Sequence, residues 1–100
     1  MSGTTDSGAS AISVEKTFTI RNKLGLHARA ASQFVQVANR FDADILVIKN
    51  GQEVNGKSIM GILILAAARG SMITVKAEGA DATTAVSTLG ELIDNGFGED

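Results

Sequence analysis

The 100-residue chain contains no cysteine, proline, tryptophan or tyrosine, and it has a single histidine. Without cysteine there can be no disulfide framework, thiolate metal site or thiol nucleophile. One histidine also argues against a histidine-based metal cluster. The aromatic residues are four phenylalanines, so the stacking surfaces typical of single-strand nucleic-acid binding are missing. We therefore expect no metal centre, no bound cofactor and no nucleic-acid partner.

The sequence also lacks a long apolar segment and a strong net charge. Its longest apolar run, residues 62–68, is too short to span a bilayer. The first residues have neither the basic start nor the apolar stretch of a secretion signal. With a formal net charge of −2, no global basic field attracts the chain to nucleic acid or to a membrane surface. The expected protein is a soluble, cytoplasmic monomer without membrane contact.

The charge that is present is unevenly distributed. Residues 1–76 hold all nine basic residues and five acidic ones, a formal charge of +4, whereas residues 77–100 hold six acidic residues and no basic ones. Two interpretations stay open. The last segment is a solvated acidic face, or the upstream part offers a mildly basic surface to acidic protein partners.

Hydrophobic periodicity predicts seven elements in the order β-α-β-β-α-β-α. They follow a small, polar segment, residues 1–13, that is expected to be a disordered tail ahead of one domain, residues 14–100. The strands are predicted at residues 14–20, 44–49, 52–55 and 71–78, and the helices at residues 28–40, 59–68 and 82–95, the last with Asp81 as its N-cap. This order favours an α+β fold with the helices on one face of an antiparallel or mixed sheet.

Residues 51–58, GQEVNGKS, match the P-loop pattern G-x-x-x-x-G-K-[ST] of nucleotide-binding enzymes. Two observations argue against that function. Asn50-Gly51 is a strong signal for a tight hairpin, and no apolar strand that follows ends in an aspartate able to hold Mg²⁺. We therefore interpret the match as accidental, with a hairpin turn at its start and a helix after Ser58. A nucleotide-binding enzyme remains the alternative.

A second candidate site is the segment NKLGLHARAAS, residues 22–32, which places the single histidine at the start of the first predicted helix. The first N–H groups of a helix have no partners within it, so a phosphate on His27 would meet those donors and the positive end of the helix dipole. Arg29 can add a guanidinium to the same phosphate, and imidazole is nucleophilic near neutral pH. The G-x-H-x-R pattern is weak by itself, and a surface histidine at a helix start is the simpler alternative.

The segment GLHARAA, residues 25–31, followed by KSIMG, residues 57–61, resembles HPr, the histidine-containing phosphocarrier family of the bacterial phosphotransferase system. The resemblance extends from about residue 14 to the end of the chain. NKLGLHARA and the ending NGFGED also resemble NPr, the nitrogen-related branch of the family. The family fold is an open-faced β-sandwich, in which three helices cover one face of a four-stranded antiparallel sheet. It agrees with the predicted element order.

The resemblance implies a carrier that is modified during turnover, not an independent catalyst. His27 would accept a phosphoryl group on Nδ1 from enzyme I, which draws it from phosphoenolpyruvate, and would pass it to an enzyme II A-type protein. Arg29 falls on the arginine that neighbours the active histidine in the family.

The resemblance also implies a regulatory site and a partner surface. Ser58 falls on the serine that an ATP-dependent HPr kinase/phosphorylase modifies in many relatives, so a regulatory interaction module is a competing hypothesis; simple N-capping is the alternative. We expect Ile62 to point inward, with Met60 and parts of Ile59 and Leu63 outward. The predicted partner-binding residues are Gln33, Lys57, Ile59, Met60 and Leu63.

Two positions depart from the family pattern. Ala30 stands where the usual motif has proline, and Leu24 stands where many relatives have a small polar residue. Alanine is the best helix former, so the first helix is expected to form with a softer first turn. Any side-chain help to the phosphate from position 24 is lost, and both changes bear on the rate of transfer.

Overall fold

A computed structural model describes residues 12–99 of the chain. The tail predicted for residues 1–13 therefore lies, up to residue 11, outside the described residues. The elements are the strands β1 (Ser13–Thr19), β2 (Asp44–Lys49), β3 (Gln52–Asn55) and β4 (Met72–Glu78), the helices α1 (Ala28–Ala38), α2 (Ile59–Leu65) and α3 (Ala82–Asp94), and a 3-10 turn at Gly96–Gly98.

The four strands form one antiparallel sheet in the order β1-β4-β2-β3. Burial alternates along β4, where Ile73, Val75 and Ala77 are buried and the residues between them are not. This two-residue period is expected of a sheet with one covered face. The buried side chains join those of all three helices in a single core. The predicted open-faced α+β sandwich is confirmed.

The helices cover the sheet with narrow apolar faces. In α1 the buried residues are spaced by three and four, with Phe34 completely buried at their centre. In α3, Gly90 lies against the ring of Phe18, and a Cβ at this position would be 2.5 Å from two of the ring carbons. Close packing of α3 on β1 therefore requires glycine there.

Asn50 and Gly51 form the hairpin turn between β2 and β3, with φ angles of 51° and 82°. The register pairs Lys49 with Gln52 directly across the turn, as expected for a two-residue type I′ turn. The Gly56 N–H then donates to the Ile45 carbonyl at 2.7 Å. Residues 51–58 thus run along the sheet as a turn, a strand and a helix start, and they do not form a continuous phosphate-binding loop.

The largest difference from the predicted elements is in α2, which ends at Leu65 and not at residue 68. Ala66 has left-handed backbone angles, φ 49° and ψ 42°. The chain then leaves the helix, and the Ala67 carbonyl accepts a hydrogen bond from the Leu26 N–H at 2.9 Å. Helix α2 is therefore ended by a contact with the loop that precedes α1, a long-range cause that helix propensity does not contain.

Asp81 is the N-cap residue of α3, as predicted, but its carboxylate makes no capping hydrogen bond. Its two oxygens accept from the N–H groups of Asp42 and Ala43, each at 2.9 Å. These bonds, mainly the one from Asp42, lower the pKa of Asp81 below its ordinary value. The carboxylate therefore ties the loop before β2 to the start of α3.

Replacing Asp81 with asparagine is expected to destabilise the fold at neutral pH and to matter less in acid. The pKa of the Asp81 carboxylate is lower in the folded chain than in the unfolded chain. Its contribution to the free energy of unfolding is therefore complete above the ordinary aspartate pKa, and it disappears as the pH falls through the lowered pKa of the folded state. Urea unfolding should give a clearly lower midpoint for Asp81→Asn at about pH 7, and a smaller difference at about pH 3.

Asp94→Asn is the matched control for this measurement. It removes an exposed carboxylate whose ion pair with Arg21 is 3.8 Å long, and such surface pairs contribute little. Its midpoint should stay close to that of the parent chain. A deficit of Asp81→Asn that is the same at both pH values would contradict the role assigned to the ionised carboxylate.

Candidate functional site

The loop that carries His27 is fixed by close backbone contact with the residues after α2. Besides the Leu26 to Ala67 hydrogen bond, Gly25 lies against the same carbonyl, with φ of 67°. A Cβ at Gly25 would be 2.4 Å from the Ala67 oxygen. The glycine of the GLHARAA segment is therefore required twice, for its positive φ and for this close approach.

His27 is the N-cap residue of α1, with extended backbone angles of φ −76° and ψ 179°. Its carbonyl accepts the first helical hydrogen bond, from the Ala31 N–H at 2.8 Å. Its Nδ1 accepts from the Arg29 N–H at 3.4 Å. Nδ1 therefore faces the N–H groups of the first turn, where the helix dipole favours a negative group.

The other ring nitrogen of His27 is held by a residue that the sequence did not point to. Its Nε2 lies 2.5 Å from Oε2 of Glu99, and the two side chains are 27% and 19% exposed. The second oxygen of Glu99 accepts from the Asn22 amide at 3.0 Å. Hydrogen bonds from Asn22 and then from His27, with the nearby charge of Arg29, lower the pKa of Glu99. The imidazole is thus contacted at both nitrogens.

Asn22 and Glu99 lie in segments that resemble the family, NKLGLHARA and NGFGED, but nothing in their spacing pairs them. They are separated by 77 positions. A weak signal existed in the acidic composition of residues 77–100 opposite the basic region that contains His27 and Arg29. It indicates attraction between the two regions without identifying the residues.

Helix α1 forms without the proline of the usual family motif. It begins at Ala28, and Ala30 in its first turn is completely buried. The expectation that the helix survives this substitution is confirmed. Leu24, the second departure from the pattern, is 67% exposed in the loop before His27.

Ser58 is the N-cap residue of α2, and its Oγ accepts from the Gly61 N–H at 3.1 Å. Along this helix Ile62 is buried and Leu63 is half-buried, whereas Met60 is 68% exposed. The expected inward and outward directions of these side chains are therefore observed. Ile59 and Ile64 are exposed as well, and Ile64 was not among the predicted surface residues. We call Ile59, Met60 and Ile64 the exposed face of α2.

The two predicted polar residues of the partner surface differ in their surroundings. Gln33 is half-buried on α1. The Lys57 ammonium donates to the Phe41 carbonyl at 2.7 Å, so it fastens the segment after α1 to the start of α2. Helices α1 and α2 pack against each other, which brings the helix that begins at His27 and the exposed face of α2 onto one layer of the fold.

Two further properties concern the described part of the chain as a whole. Between residues 12 and 99, no helix has the length and apolar character needed to cross a bilayer. The same range contains no group of three or more histidine, aspartate or glutamate side chains placed to hold a metal ion.

Residues 14–95 match the model of the family described as "PTS HPr component phosphorylation site". The chain is 48% identical over 86 residues to the phosphocarrier protein HPr of Neisseria meningitidis, covering 86% of this chain and 97% of the relative. Its structure is similar to that of HPr from Thermoanaerobacter tengcongensis, with a TM-score of 0.85, 46% identity, and coverage of 87% and 98% of the two chains.

A dimeric structure of HPr from the same organism also matches, with a TM-score of 0.70 and 46% identity over 82% of this chain and 94% of that one. The family match spans the loop with His27, the sheet except for the first residue of β1, and all of α3. The sequence motifs, the sheet order and the position of the single histidine lead to the same assignment: the chain belongs to the HPr family of phosphocarrier proteins of the phosphotransferase system.

Proposed function

We propose that the chain carries a phosphoryl group on Nδ1 of His27, taken from enzyme I and passed to an enzyme II A-type protein. One observation carries this proposal: Nδ1 faces the first turn of α1 and already accepts a hydrogen bond from the Arg29 N–H at 3.4 Å. A phosphoryl group on that nitrogen would replace the lone pair with anionic oxygens at the positive end of the helix. The partner classes follow from the family.

Arg29 would contribute its guanidinium as well as its backbone N–H. Its side chain is exposed, yet its charge lies close enough to affect Glu99 beside His27. A guanidinium can bind two oxygens of one phosphate in parallel. Ala30 adds a further donor, because proline has no N–H and alanine does. The N–H of Ala30 therefore joins that of Arg29 among the first-turn groups that can donate to the phosphate.

The experiment that tests the proposal is labelling with phosphoenolpyruvate and enzyme I. We expect about one phosphate per chain, stable in base and rapidly lost in acid, as phosphohistidine chemistry requires. The label should then move to an added enzyme II A-type protein. A chain that takes up no label under conditions in which a known HPr is labelled would refute the proposed function.

We further propose that Ser58 is a regulatory phosphorylation site. Its hydroxyl caps α2 through Gly61 and is next in sequence to Ile59 and Met60 of the exposed face of α2. A phosphate there would add a charge of about −1.5 to −2 at the start of a helix, where it is tolerated, and beside apolar side chains, where its hydration opposes docking.

Incubation with ATP and an HPr kinase/phosphorylase should add an acid-stable phosphate to the parent chain and none to Ser58→Ala. The modified chain should accept label from enzyme I at least about tenfold more slowly, because acidic partners are repelled by the added charge. Intact mass spectrometry and the labelling rate measure the two effects. Failure of an active kinase to modify the parent chain would leave Ser58 as a helix cap alone.

The exposed face of α2, with Leu63, Gln33 and Lys57 around it, is the partner surface that we propose. Exposed apolar side chains beside a basic region suit transient docking of acidic proteins through a small interface. Chemical-shift changes during titration with an enzyme II A-type protein should centre on these residues and on His27. The chain is proposed to act as a cytoplasmic monomer, and light scattering at working concentration would detect a dimer.

A further inference from the structure

Asn22 is a buried polar residue whose own hydrogen bonds are incomplete. It is 1% exposed, and its amide nitrogen donates to the Gly25 carbonyl at 2.7 Å and to Glu99 at 3.0 Å. Within residues 12–99, its Oδ1 has no hydrogen-bond partner. An unpaired buried oxygen lowers stability, so packing alone does not account for asparagine here. The asparagine is explained by the two groups that its amide nitrogen binds: the Gly25 carbonyl in the loop before His27, and the Glu99 carboxylate.

Glu99 reaches this position through a turn that we call the 96–99 hook, residues 96–99. Gly96, Phe97 and Gly98 have φ angles of 62°, 58° and 75°. Such angles are unfavourable for phenylalanine, and this turn persists because the Phe97 side chain is anchored in the core at 2% exposure. The Glu99 N–H donates back to the Gly96 carbonyl at 3.0 Å. The result is a carboxylate fixed against Nε2 of His27.

We propose that Glu99, held by Asn22, is a positioning residue that keeps a proton on Nε2 of His27 and so reserves Nδ1 for the phosphoryl group. This inference rests on the proposed function. A carboxylate can only accept, so Nε2 must be the donor when Glu99 is ionised. A neutral ring with its proton on Nε2 has its lone pair on Nδ1. The geometry thereby selects which nitrogen is the nucleophile.

The same proton matters in both directions of transfer. In acceptance, the Nδ1 lone pair attacks phosphorus, the Nδ1–P bond forms, and the bond from phosphorus to the donor breaks, with its electron pair leaving on the donor. The ring becomes positively charged, and its Nε2–H faces the Glu99 carboxylate. In donation, a lone pair of the acceptor's nucleophile attacks phosphorus and forms the new bond, the Nδ1–P bond breaks with its electron pair returning to Nδ1, and neutral imidazole leaves with the Nε2 proton in place. Without that proton the leaving group would be an imidazolate anion, a much poorer one.

The consequence is a specific dependence of donation on pH. Among residues 12–99, the charged groups at the ring are Glu99, from the 96–99 hook, and Arg29, from α1, whose charge acts on Glu99; Asn22, from the loop, is neutral. A carboxylate in contact with a cationic ring stabilises the positive charge of that ring. Removing this charge should let the phosphorylated ring lose its Nε2 proton at lower pH, so that donation slows earlier as the pH rises.

The test compares Glu99→Gln with the parent chain, both phosphorylated beforehand, in transfer to an enzyme II A-type protein across a range of pH. We expect equal rates at low pH and, in the variant, an alkaline decline that begins at a lower pH. Donation by the variant at alkaline pH should therefore be up to about tenfold slower than donation by the parent chain. Asn22→Leu, which removes the hydrogen bond from Asn22 to the Glu99 carboxylate, should also move the alkaline decline in the donation rate to lower pH. Coincident profiles for Glu99→Gln and the parent chain would overturn the proposal, and a parental profile for Asn22→Leu would overturn the part assigned to Asn22.

Glu91→Gln is the matched control. Glu91 is an exposed glutamate on α3, so this variant loses one carboxylate charge at a position that does not contact the His27 ring. Its profile should coincide with that of the parent chain; a shift equal to that of Glu99→Gln would overturn a local role for Glu99.

A second readout needs no phosphorylation: ¹⁵N chemical shifts of the His27 ring in alkaline solution. The parent chain should show Nε2 protonated, and Glu99→Ala a mixture of both tautomers. Unchanged tautomers in Glu99→Ala would count against the proposal even if no phosphoryl transfer occurred, whereas failure of the parent chain to be labelled would refute the proposed function alone.

Discussion

His27→Ala is expected to take up no acid-labile phosphate from phosphoenolpyruvate and enzyme I. In the proposed function the only histidine of the chain supplies the nitrogen nucleophile, and the chain has no cysteine to replace it. Alanine offers neither a lone pair nor a leaving group, so loss of labelling should be complete. The fold should survive, because losing the side chain of an N-cap residue costs about 1 kcal/mol and the core of α1 is untouched.

The controls for this experiment separate the three phosphate hypotheses. Ser58→Ala should be labelled from phosphoenolpyruvate like the parent chain, since the proposed modification of its hydroxyl uses ATP and a separate kinase. Circular dichroism and a urea midpoint near that of the parent chain would show that His27→Ala is folded. Acid-labile label that persists in a folded His27→Ala would contradict the assignment of His27. Calorimetry with Mg-ATP should show no binding, because residues 51–58 contain strand β3 and not a phosphate cradle.

Features with local causes were predictable from the sequence. The hairpin at Asn50-Gly51, the bounds of β2 and β3, and the position of His27 at the start of α1 all depend on residues within one turn or one alternating run. In each case the backbone preference and the hydrophobic pattern favour the same structure. The family motifs led to the function proposed for that helix start, which G-x-H-x-R alone does not specify.

Features with long-range causes were not predictable in the same way. Residues 66–68 are three alanines, so propensity extends α2 through them, yet the Ala67 carbonyl is used by Leu26. The Asp81 carboxylate accepts hydrogen bonds from the loop before β2 and none from the first turn of its own helix. The contact of Glu99 with His27 likewise depends on how the 96–99 hook folds back. In all three cases a polar group is taken by a partner distant in sequence.

Gly25→Ala is expected to lower the free energy of unfolding by about 2–5 kcal/mol and to slow phosphoryl transfer. The positive φ of 67° costs an alanine about 1–2 kcal/mol. Overlap of its Cβ with the Ala67 oxygen, 2.4 Å away in the present geometry, costs about 1–3 kcal/mol more as the backbone shifts. That shift moves the loop between Asn22 and His27, so the contacts of the ring are disturbed as well.

Gly70→Ala separates the two causes of this loss. Gly70 also has a positive φ, 89°, but an added Cβ would meet no heavy atom within 4 Å. Its destabilisation should therefore be only the backbone cost of about 1–2 kcal/mol, with transfer unaffected. Urea unfolding of both variants and labelling rates at a concentration where each is folded measure the difference. Equal destabilisation of Gly25→Ala and Gly70→Ala would show that the approach of Gly25 to Ala67 contributes nothing, and that the His27 loop is not held in place by the end of α2.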